Sequence, residues 1–282
     1  MSVPVAHDEW EAVRTSVKDT GDRFATMVSS ASGSETKATA DWSVAETAAH
    51  VAAVAIYDTM LLQPGAESPI PGFAERAATT SVDGVHDLNE LVLRHFTERD
   101  PKVLTQLLKD AVERVLADSE NRDPAQTVTW LGGSQLPLAG LLAHLVNELL
   151  IHGRDIAVAI DAPWVIPRRD AAQFFELFFV PLADGELGHL LDGGDRPRAR
   201  RIGVEFRSDY TTPVTLALQN GKVSVEPPGH SPDVRVSFDP VTLNLMMFGR
   251  ISRLRALATR KVVIRGRRPW LLPVFLRKVR VP

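Results

Sequence analysis

The chain of 282 residues contains no cysteine. Disulfides, thiolate zinc sites and iron–sulfur clusters are therefore excluded, and no thiol of the protein can act as a nucleophile. The sequence also lacks the ~18–20 consecutive apolar residues of a membrane span, because even the apolar stretch 171–187 is broken by Glu176, Pro181 and Asp184. The first residues show no basic start followed by an apolar run, so no secretory signal is expected. These absences predict a cytoplasmic protein.

Charge is divided unevenly along the chain. Residues 195–282 contain 18 Lys and Arg against 6 Asp and Glu, a net charge of +12, whereas residues 1–194 carry a net charge of −15. Such an asymmetry indicates two domains. The basic part can attract an anionic partner, such as a carboxylate substrate or a lipid head group, or it can face the acidic part and compensate its charge. Nucleic acid is not expected as a partner, because no reader motif is present and the first part is acidic.

The first part of the chain has the apolar periodicity of helices. Ser43 and Glu46 form a capping-box pattern at the start of one of them, and Asp100-Pro101 interrupts another. The predicted helices cover Trp10–Met27, Ser43–Leu62, a region from Val85 that resumes after Pro101 and continues to Val115, Pro137–Ile160 and Arg169–Leu191. Four long helices separated by polar or Gly/Pro breaks predict a bundle.

After residue 198 the period changes to the alternation of half-buried strands. Asn220-Gly221 joins two such strands and has the composition of a type I′ hairpin turn. Further strands alternate with short helices, which predicts a small α/β domain of 199–282. The chain is therefore expected to be an α+β protein, with a four-helix bundle over 1–162 and a connecting helix and linker over 163–198.

The chemically informative segment is LAHLVNELLIHGRDIA. His144, Glu148 and His152 are four residues apart, so they share one face of the predicted fourth helix, and His50 lies on the second helix. Imidazoles and a carboxylate that converge within a bundle suit a borderline metal ion such as zinc, with an open position for water or substrate. The spacing leaves open whether all four groups bind the metal. Histidine and glutamate at this spacing also form weak pairs on solvated helix faces.

Asp155 lies three residues after His152. It can orient the imidazole of His152 by a hydrogen bond, as outer partners of metal ligands do. The alternative is an aspartate on the helix surface, close to Arg154.

Two sequence stretches carry a resemblance to a known family. Asp41-Trp42-Ser43 leading to His50, and the segment WLGGSQLPLAGLLAHLVNELLIHGRDIA, resemble the mycothiol-dependent maleylpyruvate isomerase family of DinB-like metal-binding bundles. The resemblance implies a divalent metal, usually zinc, held by His50, Glu148 and His152. His144 is outside the family pattern and is expected to support the ligands or to be incidental.

The C-terminal part resembles a sterol-carrier-protein-2-like domain, on the basis of PDVRVSFDPVTLNLMMFGR and KVVIRG. Eleven Lys and Arg residues lie between Arg250 and Arg280 without an acidic residue. We expect an arginine from this part to be the candidate for binding a carboxylate.

The family resemblance implies an enzyme that uses mycothiol, a small external thiol, as cofactor. The thiol would serve for cis–trans isomerisation of a small electrophilic or anionic substrate such as maleylpyruvate, or for S-transfer to it. The alternative is a non-catalytic lipid or acyl-ligand binder in which the metal site is structural or vestigial. The sequence does not indicate an oligomeric state.

Overall fold

The structure is a computed structural model that describes residues 5–31, 33–63, 65–192, 199–229 and 231–279. Its helices are α1 (His7–Ser29), α2 (Val44–Leu62), α3 (Phe73–Thr79), α4 (Val85–His95), α5 (Pro101–Ser119), α6 (Leu138–Ala159), α7 (Arg168–Gln173), α8 (Val180–Asp184), α9 (Pro240–Met247), α10 (Arg253–Ala258) and α11 (Leu272–Lys278). Its strands are β1 (Thr127–Thr129), β2 (Gln135–Pro137), β3 (Ile202–Ser208), β4 (Thr211–Gln219), β5 (Lys222–Glu226), β6 (Val234–Phe238) and β7 (Val262–Arg265). None of the helices in the described ranges is long and apolar enough to cross a membrane.

The predicted four-helix bundle is confirmed and consists of α1, α2, α5 and α6. Both α1 and α2 pack against α5 and α6, and their apolar faces are withdrawn from water, which is the main stabilising term of such a bundle. The helix α6 is buried along most of its length, from Leu138 to Ala157. Polar side chains on α6 therefore lie inside the protein rather than on a solvated face.

Local hydrogen bonds determine where α2 begins. The Ser43 hydroxyl accepts a hydrogen bond from the Glu46 amide, and the Glu46 carboxylate accepts one from the Ser43 amide at 2.7 Å. This reciprocal arrangement is the capping box that the sequence predicts. It holds the first turn of the helix that carries His50.

The helix predicted over Arg169–Leu191 is wrong in its length. The helical segment contains a π-helical stretch, Phe174–Phe179, and ends at Asp184. Gly185 is extended, and the chain then runs beside the start of β2 and the loop before it. The Gln135 amide of β2 donates to the Glu186 carbonyl at 2.8 Å, and the His189 amide donates to the Gly132 carbonyl of the loop at 2.7 Å. Tertiary hydrogen bonds with that loop thus replace the helical ones. Residues 193–198 of the predicted linker lie outside the described residues.

The C-terminal α/β region, residues 199–229 and 231–279, contains a five-stranded sheet in the order β5-β4-β3-β6-β7. The β3–β6 pair is parallel, and the other neighbours are antiparallel. The predicted hairpin turn is confirmed, with φ of 52° at Asn220 and 78° at Gly221. Leu272 and Phe275 of α11 are buried, so the apolar face of this helix packs inside the region.

Aromatic residues of the π-helical stretch join the bundle to the sheet. Phe178 contacts Trp130 on the bundle side, and Phe175 contacts Phe206 and Phe238 of the sheet with ring centroids 5.4 and 5.0 Å apart. The observed architecture is α+β, as predicted. The division into 1–162, 163–198 and 199–282 stays a prediction.

Candidate metal centre

Three of the predicted side chains converge between α2 and α6. The Nε2 atom of His50 lies 3.1 Å from Glu148 Oε2, and Nε2 of His152 lies 3.5 Å from the same oxygen. One ligand atom from each of the three residues lies within 4.8 Å of the others. His50, Glu148 and His152 therefore form a His-Glu-His site that can hold a metal ion.

Trp42 holds the two histidines from one side. The centroid of its indole lies 4.8 Å from the ring centroid of His50 and 6.1 Å from that of His152. The indole N–H donates to Glu90 Oε1 of α4 at 2.7 Å, which holds the ring in this position. Trp42 enters through the loop before α2, so the capping box of that helix also positions it.

Asp155 is buried and faces the far side of His152. Its Oδ2 atom lies 3.2 Å from His152 Nδ1, so the carboxylate leaves Nε2 of that ring directed toward Glu148. The same carboxylate accepts hydrogen bonds from Nε of Arg250 at 3.1 Å and from its Nη2 at 2.5 Å. The surface position that was the alternative for Asp155 is not found. Instead, Asp155 contacts both Arg250 of the C-terminal α/β region and His152 of the candidate metal centre.

The surroundings of Glu148, His50 and His152 shift the pKa of each of these three groups. Burial raises the pKa of Glu148, but its contacts with His152 and His50 outweigh burial and hold that pKa well below its ordinary range. Burial lowers the pKa of His50. Burial also lowers the pKa of His152, but the carboxylates of Asp155 and Glu148 outweigh it and raise that pKa to about 9. Without a metal, the site therefore holds its negative charge on Glu148 against a protonated His152.

His144 is not part of this cluster. Its Nε2 atom is 3.7 Å from Glu148 Oε1, while its ring packs between Trp130 and Phe178 with centroids 5.0 and 5.1 Å away. The spacing along α6 puts His144 on the same face as Glu148, and its ring contacts two aromatic side chains on the wall of the bundle. The group of residues that can hold a metal does not include His144, and a supporting role for it stays a prediction.

A cavity of about 510 Å³ opens onto the cluster. Its wall includes Trp42, Tyr57, Asp58, Val92, Ile151 and Arg250. Sequence reasoning missed Asp58 and did not single out Arg250 among the eleven basic residues from which it expected a carboxylate-binding arginine. Asp58 follows His50 by eight residues, two helical turns, so the spacing carried a signal for it. Arg250 carried no local signal that distinguishes it from the ten basic residues that follow.

The donor set fits a divalent metal. Two imidazoles and a carboxylate are the ligands of many catalytic zinc sites, which keep a further position open for water or substrate. The contact between Asp155 and His152 Nδ1 is the outer-partner arrangement that fixes the tautomer of such a ligand. The cavity provides the space for the further position.

The comparisons with known proteins agree with this architecture. Residues 10–157 match the family described as mycothiol maleylpyruvate isomerase N-terminal domain, and residues 195–268 match the SCP-2 sterol transfer family. Among solved structures, the chain is similar to a mycothiol-dependent maleylpyruvate isomerase, with 17% identity and a TM-score of 0.48 over 90% of this chain and 92% of that one. A mutant of such an isomerase gives 18% identity and a TM-score of 0.50 over the same shares. No curated protein matches the chain significantly.

Fold and site together define a class of protein: a helical bundle with a His-Glu-His site that can hold a metal, followed by a sterol-carrier-like α/β region. Within that class the family match covers more than half of the chain. The chain belongs to the mycothiol maleylpyruvate isomerase N-terminal domain family.

Proposed function

We propose that the chain is a zinc-dependent enzyme that uses mycothiol to isomerise a small, electrophilic and anionic substrate of the maleylpyruvate type. The observation that carries the proposal is the convergence of His50, Glu148 and His152 on the wall of one cavity. We assign these three residues as the metal ligands. The family and the fold of the similar isomerases support the assignment.

A bound zinc ion would lower the pKa of a thiol at the open position, so that a thiolate is present near neutral pH. The chain has no cysteine of its own, so the thiol comes from outside, and mycothiol is the thiol that the family uses. His50 and His152 serve as neutral ligands. Asp155 keeps the proton of His152 on Nδ1.

The isomerisation balances without a further reactant. The sulfur forms a bond to one carbon of the cis double bond, and the electron pair of that double bond moves to the conjugated carbonyl oxygen. The remaining single bond rotates, the electron pair returns, and the carbon–sulfur bond breaks to leave the trans isomer and the thiolate. If the enolate carbon instead took a proton from water and the carbon–sulfur bond stayed intact, the product would be the thioether adduct of S-transfer.

We assign Arg250 the role of binding the negative charge of the substrate. Its Nε and Nη2 atoms bind Asp155, and its Nη1 donates to the Phe248 carbonyl at 2.6 Å. A guanidinium carries five N–H donors, so one N–H on each Nη remains for a carboxylate or an enolate oxygen. Because Arg250 lines the cavity, substrate and thiol can meet between the bundle and the C-terminal region. The cytoplasmic location stays a prediction.

The alternative of a lipid or acyl-ligand binder would need space for an apolar chain in the C-terminal region. A cavity beside β5 and α8, bordered by Phe179, Leu182 and Val223, has a volume of about 20 Å³. That is space for about one water molecule and not for an acyl chain.

The proposal is tested by metal content and thiol-dependent turnover in the same preparations. Wild type is expected to bind one zinc ion and to isomerise maleylpyruvate only when mycothiol is present. Removing an outer partner of a metal ligand costs about 10–100-fold in metal affinity. Removal of a ligand itself should cost more, and turnover should be lost as well, in the variants His50→Ala, Glu148→Gln and His152→Ala. His189→Ala is the matched control, since this exposed histidine pairs with Asp192.

Each contrary result has a distinct meaning. Equal zinc content in Glu148→Gln and wild type would remove Glu148 from the ligand set. Zinc-loaded protein without mycothiol-dependent turnover would disprove the reaction and leave the metal a structural role. Binding of a fatty acid that does not change on metal removal would establish the carrier instead.

A further inference from the structure

Asp58 is a buried acid in the cavity that the proposed chemistry does not use. It lies on α2 two turns after His50 and lines the same cavity, with only 1% of its surface exposed. Neither of its carboxyl oxygens has a hydrogen-bond partner among the described residues. Buried polar groups are nearly always hydrogen-bonded, so a group with two unpartnered oxygens at a cavity needs an explanation.

The surroundings of Asp58 favour the protonated, neutral form of its carboxyl group. Burial, and to a smaller extent the negative charge of Glu148, hold the pKa of Asp58 well above its ordinary range. The adjacent Tyr57 is itself mostly buried, with a pKa of about 12, and adds no charge near neutral pH. Asp58 does not belong to the cluster that can hold a metal.

A neutral carboxyl group differs from a carboxylate in what it can bind. It carries one O–H donor, whereas a carboxylate only accepts hydrogen bonds. A carboxylate on this wall would repel an anionic ligand, but a carboxylic acid can donate to one of its oxygens. A hydrogen bond to a charged acceptor is about twice as strong as a neutral one.

We propose that Asp58 is a specificity-determining residue whose buried, unpartnered carboxyl group donates a hydrogen bond to an acceptor oxygen of the ligand in this cavity. The ligand chemistry is an oxygen acceptor, and it has two possible sources, the acidic substrate or the thiol cofactor. The inference rests on the proposed function for the identity of these two molecules. Its physical basis, the unpartnered buried carboxyl group, does not depend on that function.

The test compares two substitutions of opposite character. Asp58→Asn keeps the shape, the neutral state and an N–H donor, whereas Asp58→Leu keeps the approximate size without a polar atom. Zinc-loaded wild type and both variants are titrated calorimetrically with maleate and, separately, with mycothiol. We expect Asp58→Leu to bind one of the two probes about 10–100-fold more weakly, and Asp58→Asn to bind it within about threefold of wild type. The probe whose binding is weakened is the one that carries the acceptor oxygen.

Two further readouts keep the result interpretable. Zinc content and melting temperature show whether the variants fold, and Asp58→Leu should melt no lower than wild type because it removes an unsatisfied buried group. Infrared difference spectra of wild type against Asp58→Asn should show the C=O stretch of a protonated carboxyl group near neutral pH, shifted when the weakened probe binds. Asp110→Leu, an exposed aspartate of α5, is the matched control.

Several outcomes overturn the inference. They are wild-type affinity of Asp58→Leu for both probes, equal weakening in Asp58→Asn and Asp58→Leu, and failure of both probes to bind wild type. Absence of isomerisation by wild type, with Asp58-dependent binding intact, would disprove the proposed reaction but not the role of Asp58.

Discussion

The ion pair between Asp155 and Arg250 is expected to couple the stability of the bundle to that of the C-terminal α/β region. The guanidinium makes two charge-assisted contacts to the carboxylate, and the side chains are only 6% and 23% exposed. Hydrogen bonds to charged groups contribute about 1.5–3 kcal/mol each, and desolvation offsets part of this gain. When Arg250 is removed, His152 still faces Asp155. We therefore expect a coupling energy of about 2 kcal/mol.

A double-mutant cycle measures this coupling. Arg250→Met, Asp155→Asn and the double variant are compared with wild type by urea denaturation of the metal-free protein. The matched control is the pair Arg168–Asp239, which also connects the helical part to the C-terminal region, but with side chains 54% and 16% exposed. Surface pairs contribute about 0–1 kcal/mol, so its cycle should give the smaller coupling. Equal coupling energies in the two cycles would refute the argument that burial and bidentate geometry strengthen the inner pair.

Two further predictions concern packing and pH. Gly153→Ala should destabilise the protein by about 1–3 kcal/mol and change the fluorescence of Trp164, because a Cβ atom would stand 2.2 Å from Trp164 Cζ2. Gly21→Ala is its control, because the nearest atom to the added Cβ would be 3.4 Å away. This variant is expected to gain up to about 1 kcal/mol in free energy of unfolding. Equal effects of the two substitutions in thermal melts would contradict the predicted clash at Gly153. Glu205, whose side chain is fully buried against Arg207 and Arg235, has a lowered pKa, because these arginines outweigh the burial that raises it. As the pH falls, Glu205 is protonated in the unfolded chain before it is protonated in the folded one. Wild type should therefore be more stable than Glu205→Gln by about 1 kcal/mol or more above about pH 4.5. This advantage should be lost as the pH falls below that value. A pH-independent difference in urea denaturation would show that the charge of Glu205 is not the cause.

Local features of the sequence were enough for the helices that carry the site. The capping box at Ser43 and the apolar spacing of α2 and α6 depend on interactions between residues three or four apart, which sequence shows directly. The same period places Glu148 and His152 on one face of α6, and Asn220-Gly221 marks the hairpin by its own backbone preferences. His50 was already a candidate as the histidine of α2, and the resemblance to the family singled it out as the third ligand.

Features that depend on distant residues could not be predicted in this way. The helix predicted to Leu191 ends at Asp184 because the following residues bond to the loop between β1 and β2. Arg250 reaches Asp155 across 95 positions of sequence, and its own surroundings along the chain resemble those of its basic neighbours.

The sequence by itself determined the helices of the bundle, the strands of the sheet and the spacing of the candidate ligands, since each follows from preferences and contacts within a few residues. Only the tertiary structure decided which polar groups meet. His144 and His50 are both histidines on predicted bundle helices, but Trp130 and Phe178 surround the first, and Glu148 contacts the second at 3.1 Å. Asp58 likewise has no hydrogen-bond partner within the described part of the chain, because of what packs around it. Burial and partnership are properties of the packed chain, so no local pattern encodes them.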